Sequence, residues 1–359
     1  MPNSLFKAEE MRKKSSQKKT IATGLVIILL IFGSIKAYQL FRDIYGSNVK
    51  IEKEYRHIHI PSDSELHDVV EILSADNVLK DSSSFLWLAK KKNYQKHINP
   101  GRYKIRNNMN NNDLINLLRS GEQTPVKLVI NNIRTKEDLA GKISSQIEAD
   151  STRLIELLQN DDSLQPYGFT SLTVHAMIIP NTYEFWWDTS AEEFMKRMNT
   201  EYEKFWDSTR KEKAEKLNLT RTEVTTLASI VDEETIRDDE MPKIAGVYVN
   251  RLQRGMRLQA DPTIKFAMGD VTINRVLKKY LEKESPYNTY KNYGLPPGPI
   301  SFPSIKAIES VLNYEKHDYL YFSAKPDFSG YHNFSKTHRQ HINNARKYQR
   351  ALNEKRILN

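Results

Sequence analysis

The sequence predicts an α+β protein with a single N-terminal transmembrane helix, a small α/β module and a larger α+β domain. Three observations predict this class: one uncharged run of membrane-spanning length lies near the N-terminus, short strand-like segments and amphipathic helices follow it, and no later run is long enough to span. The 359 residues leave room for a small module beside a domain with its own core. Hydrophobic residues at 39% and charged residues at 28% are typical of a soluble body rather than a polytopic membrane protein.

The composition excludes some kinds of site and favours some partners. Cysteine is absent, so the chain has neither disulfides nor cysteine-ligated metals. The formal net charge of +9 favours polyanionic partners such as nucleic acid, anionic lipid or a cell-wall polymer. A basic tail explains the same excess equally well.

The run TIATGLVIILLIFGSI, residues 20–35, predicts the transmembrane anchor. Extended to residue 41, it gives roughly 30 Å of helix, about one hydrocarbon core, and Lys36 can reach the interface. Basic side chains before the run leave residues 1–19 in the cytoplasm and send the chain after Tyr45 outside. These basic residues are Lys7, Arg12, Lys13, Lys14, Lys18 and Lys19. A cleavable signal peptide is the alternative, although no clear small-x-small cleavage site follows. Nucleic acid is therefore not expected as a partner.

Residues 42–122 are predicted to form a stalk and the small α/β module. A short alternating strand leads to a helix capped by Ser62 or Ser64, and a second helix runs over 83–91. The segment NPGRYKI predicts a turn and a strand. NNNDLINLLRSG predicts a third helix that ends at Gly121.

Residues 123–348 are predicted to form the larger domain, and 349–359 a C-terminal tail. The domain begins with the strand VKLVI and two helices, TKEDLAGKISSQI and DSTRLIELLQ. A charged helix is predicted over 191–217, and the Pro/Gly-rich segment YGLPPGPISFPS predicts a loop. The final segment, from DYLYF onward, predicts two strands and a closing helix.

Three consecutive acids in IVDEETI lie at the end of a predicted helix over 221–235, which the capping box of Thr220 and Glu223 starts. Its apolar positions are Val224, Leu227, Ala228, Ile230 and Val231. Because a helix advances about 100° per residue, Glu234 lies about 20° from Leu227 and extends the apolar stripe. Glu233 and Asp232 fall about 100° and about 160° from Glu234, on the face expected to be exposed to solvent.

A carboxyl group on an apolar stripe loses hydration of its charged form, so its pKa rises, as a general acid working near neutrality requires. This reasoning makes Glu234 the candidate catalytic acid. The alternative is a structural glutamate at a helix end, paired with a basic residue such as Arg251 or Arg257.

Two segments after this helix have the composition of a sugar-binding cleft. In RLQADPT, polar residues alternate with apolar ones around an Asp-Pro turn, and SPYNTYKNYG supplies amides, hydroxyls and rings before a rigid loop. Such groups bind sugar hydroxyls and pyranose faces. The expected substrate-binding residues are Gln259, Asp261, Thr263, Asn288 and Tyr290. Neither a metal nor a cofactor is expected, and the spaced pair His338 and His341 is interpreted as solvated or structural.

Several long motifs carry a family resemblance: ASIVDEET, VYVNRLQRGMRLQADPT, YNTYKNYGLPPGPI, YLYF and HNFSKTHRQH. In order and spacing the chain resembles the MltG/YceG-like family of endolytic murein transglycosylases. The resemblance implies a LysM-like module, which fits residues 50–122, and a catalytic domain that cuts nascent glycan strands. It places the catalytic acid at Glu234, the second acid of an E-x-E-T pattern. The chain departs from the family pattern at Asp232, Asn181 and Ser304.

The resemblance implies a plasma-membrane lyase without cofactor that cleaves the MurNAc–GlcNAc bond of peptidoglycan, forms a 1,6-anhydro end and terminates strand elongation. It also implies cell-wall synthases, such as penicillin-binding proteins, as partners. Two alternatives of other classes remain: a non-enzymatic peptidoglycan-binding scaffold for synthases, and a hydrolase that uses Glu234 together with Asp261. A basic nucleic-acid-binding protein is a distant third.

Overall fold

The structure is a computed structural model that describes residues 3–270, 273 and 276–355, with side chains from Thr23 onward. The described residues divide into two compact units. The N-terminal unit lies within Met1–Pro125 together with Trp186–Asp188, and the C-terminal unit within Val126–Phe185 and Thr189–Asn359. Helices and short two-stranded sheets make up both units, which confirms the α+β class.

The first helix, α1 (Asn3–Tyr45), contains the candidate membrane span. Its segment Thr23–Tyr45 has 23 residues and a mean hydropathy of 1.9, and none of its apolar stretch is buried in the protein, although Ile44 near its end packs against the core of the N-terminal unit. In the part of the chain that the structure describes, this is the one helix long and apolar enough to cross a bilayer. The predicted anchor, residues 20–41, lies within α1.

The N-terminal unit follows the predicted order of strand, helix, helix, strand and helix. The elements are β1 (Tyr55–Ile60), α2 (Leu66–Ala75), α3 (Ser82–Lys91), β2 (Gly101–Arg106) and α4 (Asn111–Ser120). β1 and β2 pair antiparallel, with Ile58 opposite Tyr103, and both side chains enter the core of the unit. At the end of α4, Gly121 adopts a φ of +71°, a left-handed conformation that favours glycine.

The expected cap of α2 is wrong. Glu65 precedes the helix, and its backbone N–H donates to the Asp68 carboxylate at 2.7 Å. Ser64 instead donates its hydroxyl to the carbonyl of Pro61 at 2.8 Å, so the turn before the helix already uses this side chain.

The C-terminal unit surrounds one hydrophobic core with helices and two antiparallel strand pairs, β3–β4 and β5–β6. Its elements are β3 (Val126–Val129), α5 (Lys136–Ser144), α6 (Ser151–Gln159), α7 (Asp161–Leu164), β4 (Thr182–Phe185), α8 (Ala191–Phe205), α9 (Ser208–Lys216), α10 (Arg221–Glu234), α11 (Met241–Gln253), α12 (Asp261–Met268), α13 (Ile305–Leu312), β5 (Tyr321–Ala324), β6 (His332–Ser335) and α14 (His338–Glu354). The predicted final pair of strands and closing helix are confirmed as β5, β6 and α14.

Two expectations for this unit are wrong. The charged helix predicted over 191–217 is two helices, because Trp206 is fully buried in a non-helical conformation and Asp207 caps α9 by accepting the Arg210 N–H. The segment around Asp261 is not extended through Thr263, because α12 begins at Asp261 with a proline in its first turn.

Helix α10 lies at the centre of the unit and packs against α11, α12 and α13. Every residue from 224 to 231 is buried, so the helix is enclosed on all sides rather than along one stripe. Its hydroxyl groups are satisfied locally, since Thr225 and Thr226 donate to carbonyls one turn earlier. The enclosed helix therefore holds its C-terminal residue, Glu234, at a fixed place.

Candidate active site

Glu234 lines a cavity of about 400 Å³ within the C-terminal unit. We call this cavity the front cavity. The end of α10, one face of α11, the start of α12, strand β5 and helix α14 contribute to its wall. The lining residues used below are Glu234, Tyr248, Arg251, Gln259, Asp261, Tyr290, Tyr321, Ser323, His338 and His341. Its volume is within the range of small-molecule sites, about 300–1,000 Å³.

The Glu234 carboxylate accepts a hydrogen bond of 2.6 Å from the hydroxyl of Tyr248, a fully buried residue of α11. Burial raises the pKa of Glu234 to about 7, and the charge of Asp261 adds to this rise. The Tyr248 hydrogen bond and the positive charges of Arg251 and Lys265 oppose it. Glu234 can therefore be protonated near neutrality and give up its proton there.

The alternative of a structural ion pair does not describe Glu234. Arg251 donates to the backbone carbonyls of Leu258 and Leu320, each at 2.6 Å, and its guanidinium lies 5.1 Å from the centre of the Tyr321 ring. Arg257 lies over the Tyr293 ring instead. Among the described residues, neither arginine comes within ion-pair distance of Glu234.

Asp261 and Tyr290 form a second polar pair in the front cavity. The Tyr290 hydroxyl donates a short hydrogen bond to the exposed Asp261 carboxylate. Burial and the Asp261 charge both raise the pKa of Tyr290, which keeps its hydroxyl protonated. Gln259 also lines the cavity, with a φ of +49° that is uncommon for a residue other than glycine. The structure thus brings Gln259, Asp261 and Tyr290 together with Glu234.

Thr263 and Asn288 do not line the front cavity, contrary to the sequence expectation for a cleft. Both are fully buried. Thr263 donates to the Ala260 carbonyl at 2.7 Å, and Asn288 donates to the carbonyls of Leu281 and Lys283. Because α12 starts at Asp261, the side chain two residues later turns into the core instead of alternating outward. These two side chains brace the segments that carry Asp261 and Tyr290.

Sequence reasoning missed Tyr248 and considered Arg251 only as an ion-pair partner, although the two residues lie three positions apart on one face of α11. It also interpreted His338 and His341 as solvated or structural, yet both line the front cavity, where His341 stacks on Tyr321 with ring centres 5.4 Å apart. No local pattern links α14 with Glu234, because the distance between them in the chain is large.

Two polar atoms on residues of the front-cavity wall are buried and lack a hydrogen-bond partner among the described residues. They are Ser323 Oγ and His341 Nδ1. Burial lowers the pKa of His341, and the Arg251 charge adds to this shift, so the neutral imidazole is favoured. Neutral hydroxyl and imidazole groups suit the uncharged hydroxyls of a sugar. In the described residues, no group of three or more His, Cys, Asp or Glu side chains is arranged to hold a metal ion.

The other two acids of the motif are half-buried, and hydrogen bonds hold both of them. Glu233 pairs with Arg134 through both carboxylate oxygens, at 2.9 and 3.0 Å. Asp232 accepts hydrogen bonds from the backbone and hydroxyl of Ser304, the cap of α13. Two departures from the family pattern, Asp232 and Ser304, thus contact each other. The Ser304 hydroxyl reaches Asp232, whose side chain is shorter than the glutamate of the family pattern.

The fold and the front cavity define an α+β protein with a desolvated carboxyl group in a polar cleft. Such a group is suited to general acid–base chemistry. The family model of the YceG-like family matches residues 58–347, and the chain belongs to this family. This result confirms the family resemblance of the sequence motifs.

Two curated relatives, both described as endolytic murein transglycosylases, match most of the chain. The protein of Bacillus subtilis (strain 168) is 31% identical in an alignment of 333 positions, which covers 87% of this chain and 91% of the relative. The protein of Streptococcus pneumoniae serotype 2 is 30% identical over 86% of this chain, which spans 62% of that longer relative.

A solved structure is similar as well. The crystal structure of a protein from Listeria monocytogenes, described as yceG-like, has a TM-score of 0.55 and 29% identity. The match covers 81% of this chain and 99% of that chain. Family, relatives and structure therefore agree over both units.

Proposed function

We propose that the protein is an endolytic lytic transglycosylase that cleaves the MurNAc–GlcNAc bond of nascent peptidoglycan strands and leaves a 1,6-anhydro-MurNAc end. The observation that carries this proposal is Glu234, a half-buried carboxyl group with a pKa of about 7 at the wall of a polar cavity. The names of the curated relatives support the same reaction class.

In the first step, protonated Glu234 donates its proton to the glycosidic oxygen between the two sugars. The bond to C1 of the muramic acid breaks, the GlcNAc alcohol leaves, and positive charge develops at C1 and the ring oxygen. The Tyr248 hydroxyl, which donates to Glu234, stabilises the carboxylate that this step creates.

In the second step, ionised Glu234 removes the proton from the C6 hydroxyl of the same muramic acid. The C6 oxygen forms a bond to C1, which closes the 1,6-anhydro ring and returns Glu234 to its protonated form. A pKa near neutrality lets one group act as acid and then as base. No second base is needed, because the attacking hydroxyl belongs to the bound substrate.

The surrounding residues have separate proposed roles. The Asp261 carboxylate stabilises the positive charge that develops at C1, and Tyr290 orients that carboxylate. Gln259 binds a sugar hydroxyl. Thr263 and Asn288, which the sequence motifs assigned to substrate, act indirectly by holding the two segments in place.

The proposal places the enzyme at the plasma membrane, with α1 as a single-pass anchor, the N-terminus in the cytoplasm and both units outside. The segment Thr23–Tyr45 supports the anchor. The order β1, α2, α3, β2 supports a LysM-like module that holds glycan. An anchored cutting site would meet strands as they emerge and terminate their elongation, with synthases such as penicillin-binding proteins as partners.

A hydrolase is the second candidate, because Asp261 gives the front cavity a second carboxylate. In that reaction Glu234 would act as acid, and Asp261 would activate water or form a covalent intermediate. The product would be a reducing end rather than an anhydro end.

Mass analysis of products separates these reactions. The full chain in detergent micelles is incubated with nascent glycan strands in H₂¹⁸O, with Glu234→Gln as control. Anhydro ends without ¹⁸O, made by the wild type and absent with the variant, support the proposal. Reducing ends containing ¹⁸O support the hydrolase, and binding without cleavage by either protein supports the scaffold.

A further inference from the structure

A second cavity of about 580 Å³ begins one residue before the proposed acid, and we call it the rear cavity. Its wall includes Arg134, Glu233, Ile236, Ser301 and Lys306. Glu233 and Glu234 have Cα atoms about 3.8 Å apart, and their side chains diverge by about 100° around the helix axis. One lines the rear cavity and the other the front cavity. The two cavities therefore meet the chain at adjacent residues, at the end of α10.

The rear cavity presents paired charges of both signs. Arg134 pairs with Glu233, and Lys306 pairs with Asp238. The two cations are 51% and 70% exposed, so each can exchange its partner for a charged group of a ligand. A ligand with both carboxylates and an amine matches this wall, whereas an uncharged glycan does not.

The apolar surface of the rear cavity also differs from that of a sugar site. Ile236, in the turn after α10, is 87% exposed. The aromatic ring in the wall, Phe302, is only 3% exposed and offers no accessible face for a pyranose. A small aliphatic group, such as an alanine methyl, fits against Ile236 more readily than a sugar ring does.

Ser301 gives an independent indication of a ligand. The residue is 3% exposed, and its hydroxyl finds no hydrogen-bond partner in the described part of the chain. A buried hydroxyl without a partner is destabilising, and such groups are rare in folded proteins. A peptide carbonyl seated against this wall would supply the acceptor.

We propose that the rear cavity binds the short peptide carried by the lactyl group of the muramic acid whose glycosidic bond lies at Glu234. This inference rests on the proposed function, because it takes peptidoglycan as the substrate. The peptide has carboxylates for Arg134 and Lys306, an amine for Glu233 or Asp238, and amide carbonyls for Ser301. The rear cavity would select strands that still carry their peptides.

The test compares glycan strands that carry peptides with the same strands after an amidase has removed them, using the full chain in micelles. We expect the wild type to prefer peptide-bearing strands. The double variant Arg134→Gln/Lys306→Gln should lower kcat/KM on these strands about tenfold, mainly through KM, as the loss of a charge-assisted contact predicts. Its kcat/KM on stripped strands should stay unchanged. Arg153→Gln is the matched control, because Arg153 is also 51% exposed and ion-paired but lies outside both cavities.

A second variant, Ser301→Ala, should weaken binding of the peptide without lowering the stability of the fold. Removal of the unpartnered hydroxyl should leave the Tm unchanged or raise it, while KM for peptide-bearing strands rises. Equal kinetics on the two substrates for the wild type, or equal losses on both for the double variant, would overturn the peptide subsite.

A binding measurement keeps this inference separate from the cleavage reaction. The free muramoyl peptide is titrated into Glu234→Gln with and without the two rear-cavity substitutions. Binding that those substitutions abolish supports the subsite even if the wild type cuts neither strand, an outcome that would reject only the proposed function. Undetectable or unchanged binding overturns the subsite.

Discussion

Glu233 and Glu234 are neighbours in one helix, yet the structure gives them opposite surroundings. Glu233 meets the guanidinium of Arg134 through two oxygen contacts. Glu234 meets the neutral hydroxyl of Tyr248, and burial raises its pKa to about 7. Both side chains are half-buried, so the degree of exposure alone does not distinguish them.

The difference between them is the partner that replaces water. A carboxylate that loses water but gains a guanidinium keeps a compensating charge, whereas one that gains only a hydroxyl does not. Tyr248 can donate a single hydrogen bond, and Arg251 is committed to the carbonyls of Leu258 and Leu320. The pKa of Glu234 is therefore raised because, among the described residues, no cation lies within ion-pair distance of its carboxyl group, whereas Glu233 has Arg134.

The largest expected effect comes from Glu234→Gln. The amide preserves shape and still accepts the Tyr248 hydrogen bond, but it cannot transfer the proton, so kcat should fall by about 10³–10⁴. Circular dichroism should show an unchanged fold. Product release from nascent strands measures the loss, and substantial anhydro product from the variant would remove Glu234 from its role.

Asp261→Asn should have the next largest effect, a loss of about 10² in kcat, because the carboxylate that stabilises charge at C1 is neutralised. The remaining product should still carry anhydro ends. The pKa of Glu234 should fall, since the Asp261 charge contributes to its rise. If the wild type releases ¹⁸O-labelled reducing ends and the variant releases none, Asp261 is instead the second group of a hydrolase. A different type of product from the variant would lead to the same conclusion.

Stability should depend on pH through Glu234. Its pKa in the folded protein, about 7, lies above its ordinary value of 4.5, so the folded state holds this proton more tightly than the unfolded state. The resulting stabilisation is complete below about pH 4.5 and is lost as pH rises through about 7. Relative to Glu234→Gln, the wild type should therefore lose about 3 kcal/mol of unfolding free energy between pH 4.5 and 8. Urea unfolding of both proteins checks this, and parallel pH profiles would contradict it.

Tyr248→Phe should change the pH profile more than the maximum rate. The Tyr248 hydrogen bond lowers the pKa of Glu234, so its removal raises that pKa and moves the alkaline limb of kcat/KM upward by about one pH unit. A rate measured across pH 5–10 tests the shift. An unchanged limb with a lower plateau would give Tyr248 a purely structural role.

Glu233→Gln should have the smallest effect on the chemistry. It breaks a partly exposed ion pair with Arg134, a change of about 0–1 kcal/mol in stability. On strands without peptides, kcat should change by less than about threefold, because the side chain does not line the front cavity. A loss as large as that of Glu234→Gln would reverse the assignment of the two acids.

Much of the local structure could be predicted from the sequence because its signals are local. Caps and apolar spacing predicted α4, α10 and the final strand pair with its helix. The helical wheel selected Glu234, although its premise of one apolar stripe was incomplete: residues 224–231 are buried all round. Of the three acids, Glu234 alone lines the front cavity, because the helix leaves the core only at its last residues.

Other parts of the site depend on packing between distant segments. His338, His341 and Tyr321 line the same cavity as Glu234 only because α14 and β5 pack against the core, and no spacing rule encodes that arrangement. Thr263 was misplaced because the alternation of polar residues was extended across an Asp-Pro pair. That pair was itself a signal for the first turn of a helix.

The most direct test is a titration of the Glu234 carboxyl group itself. The full chain, labelled with ¹³C at glutamate side chains, is titrated by infrared difference spectroscopy, and the same titration of Glu234→Gln is subtracted. The account predicts one carboxyl that ionises with a midpoint of about 7. A midpoint at the ordinary value of 4.5 would contradict it, because Glu234 would then lack the proton that the reaction requires.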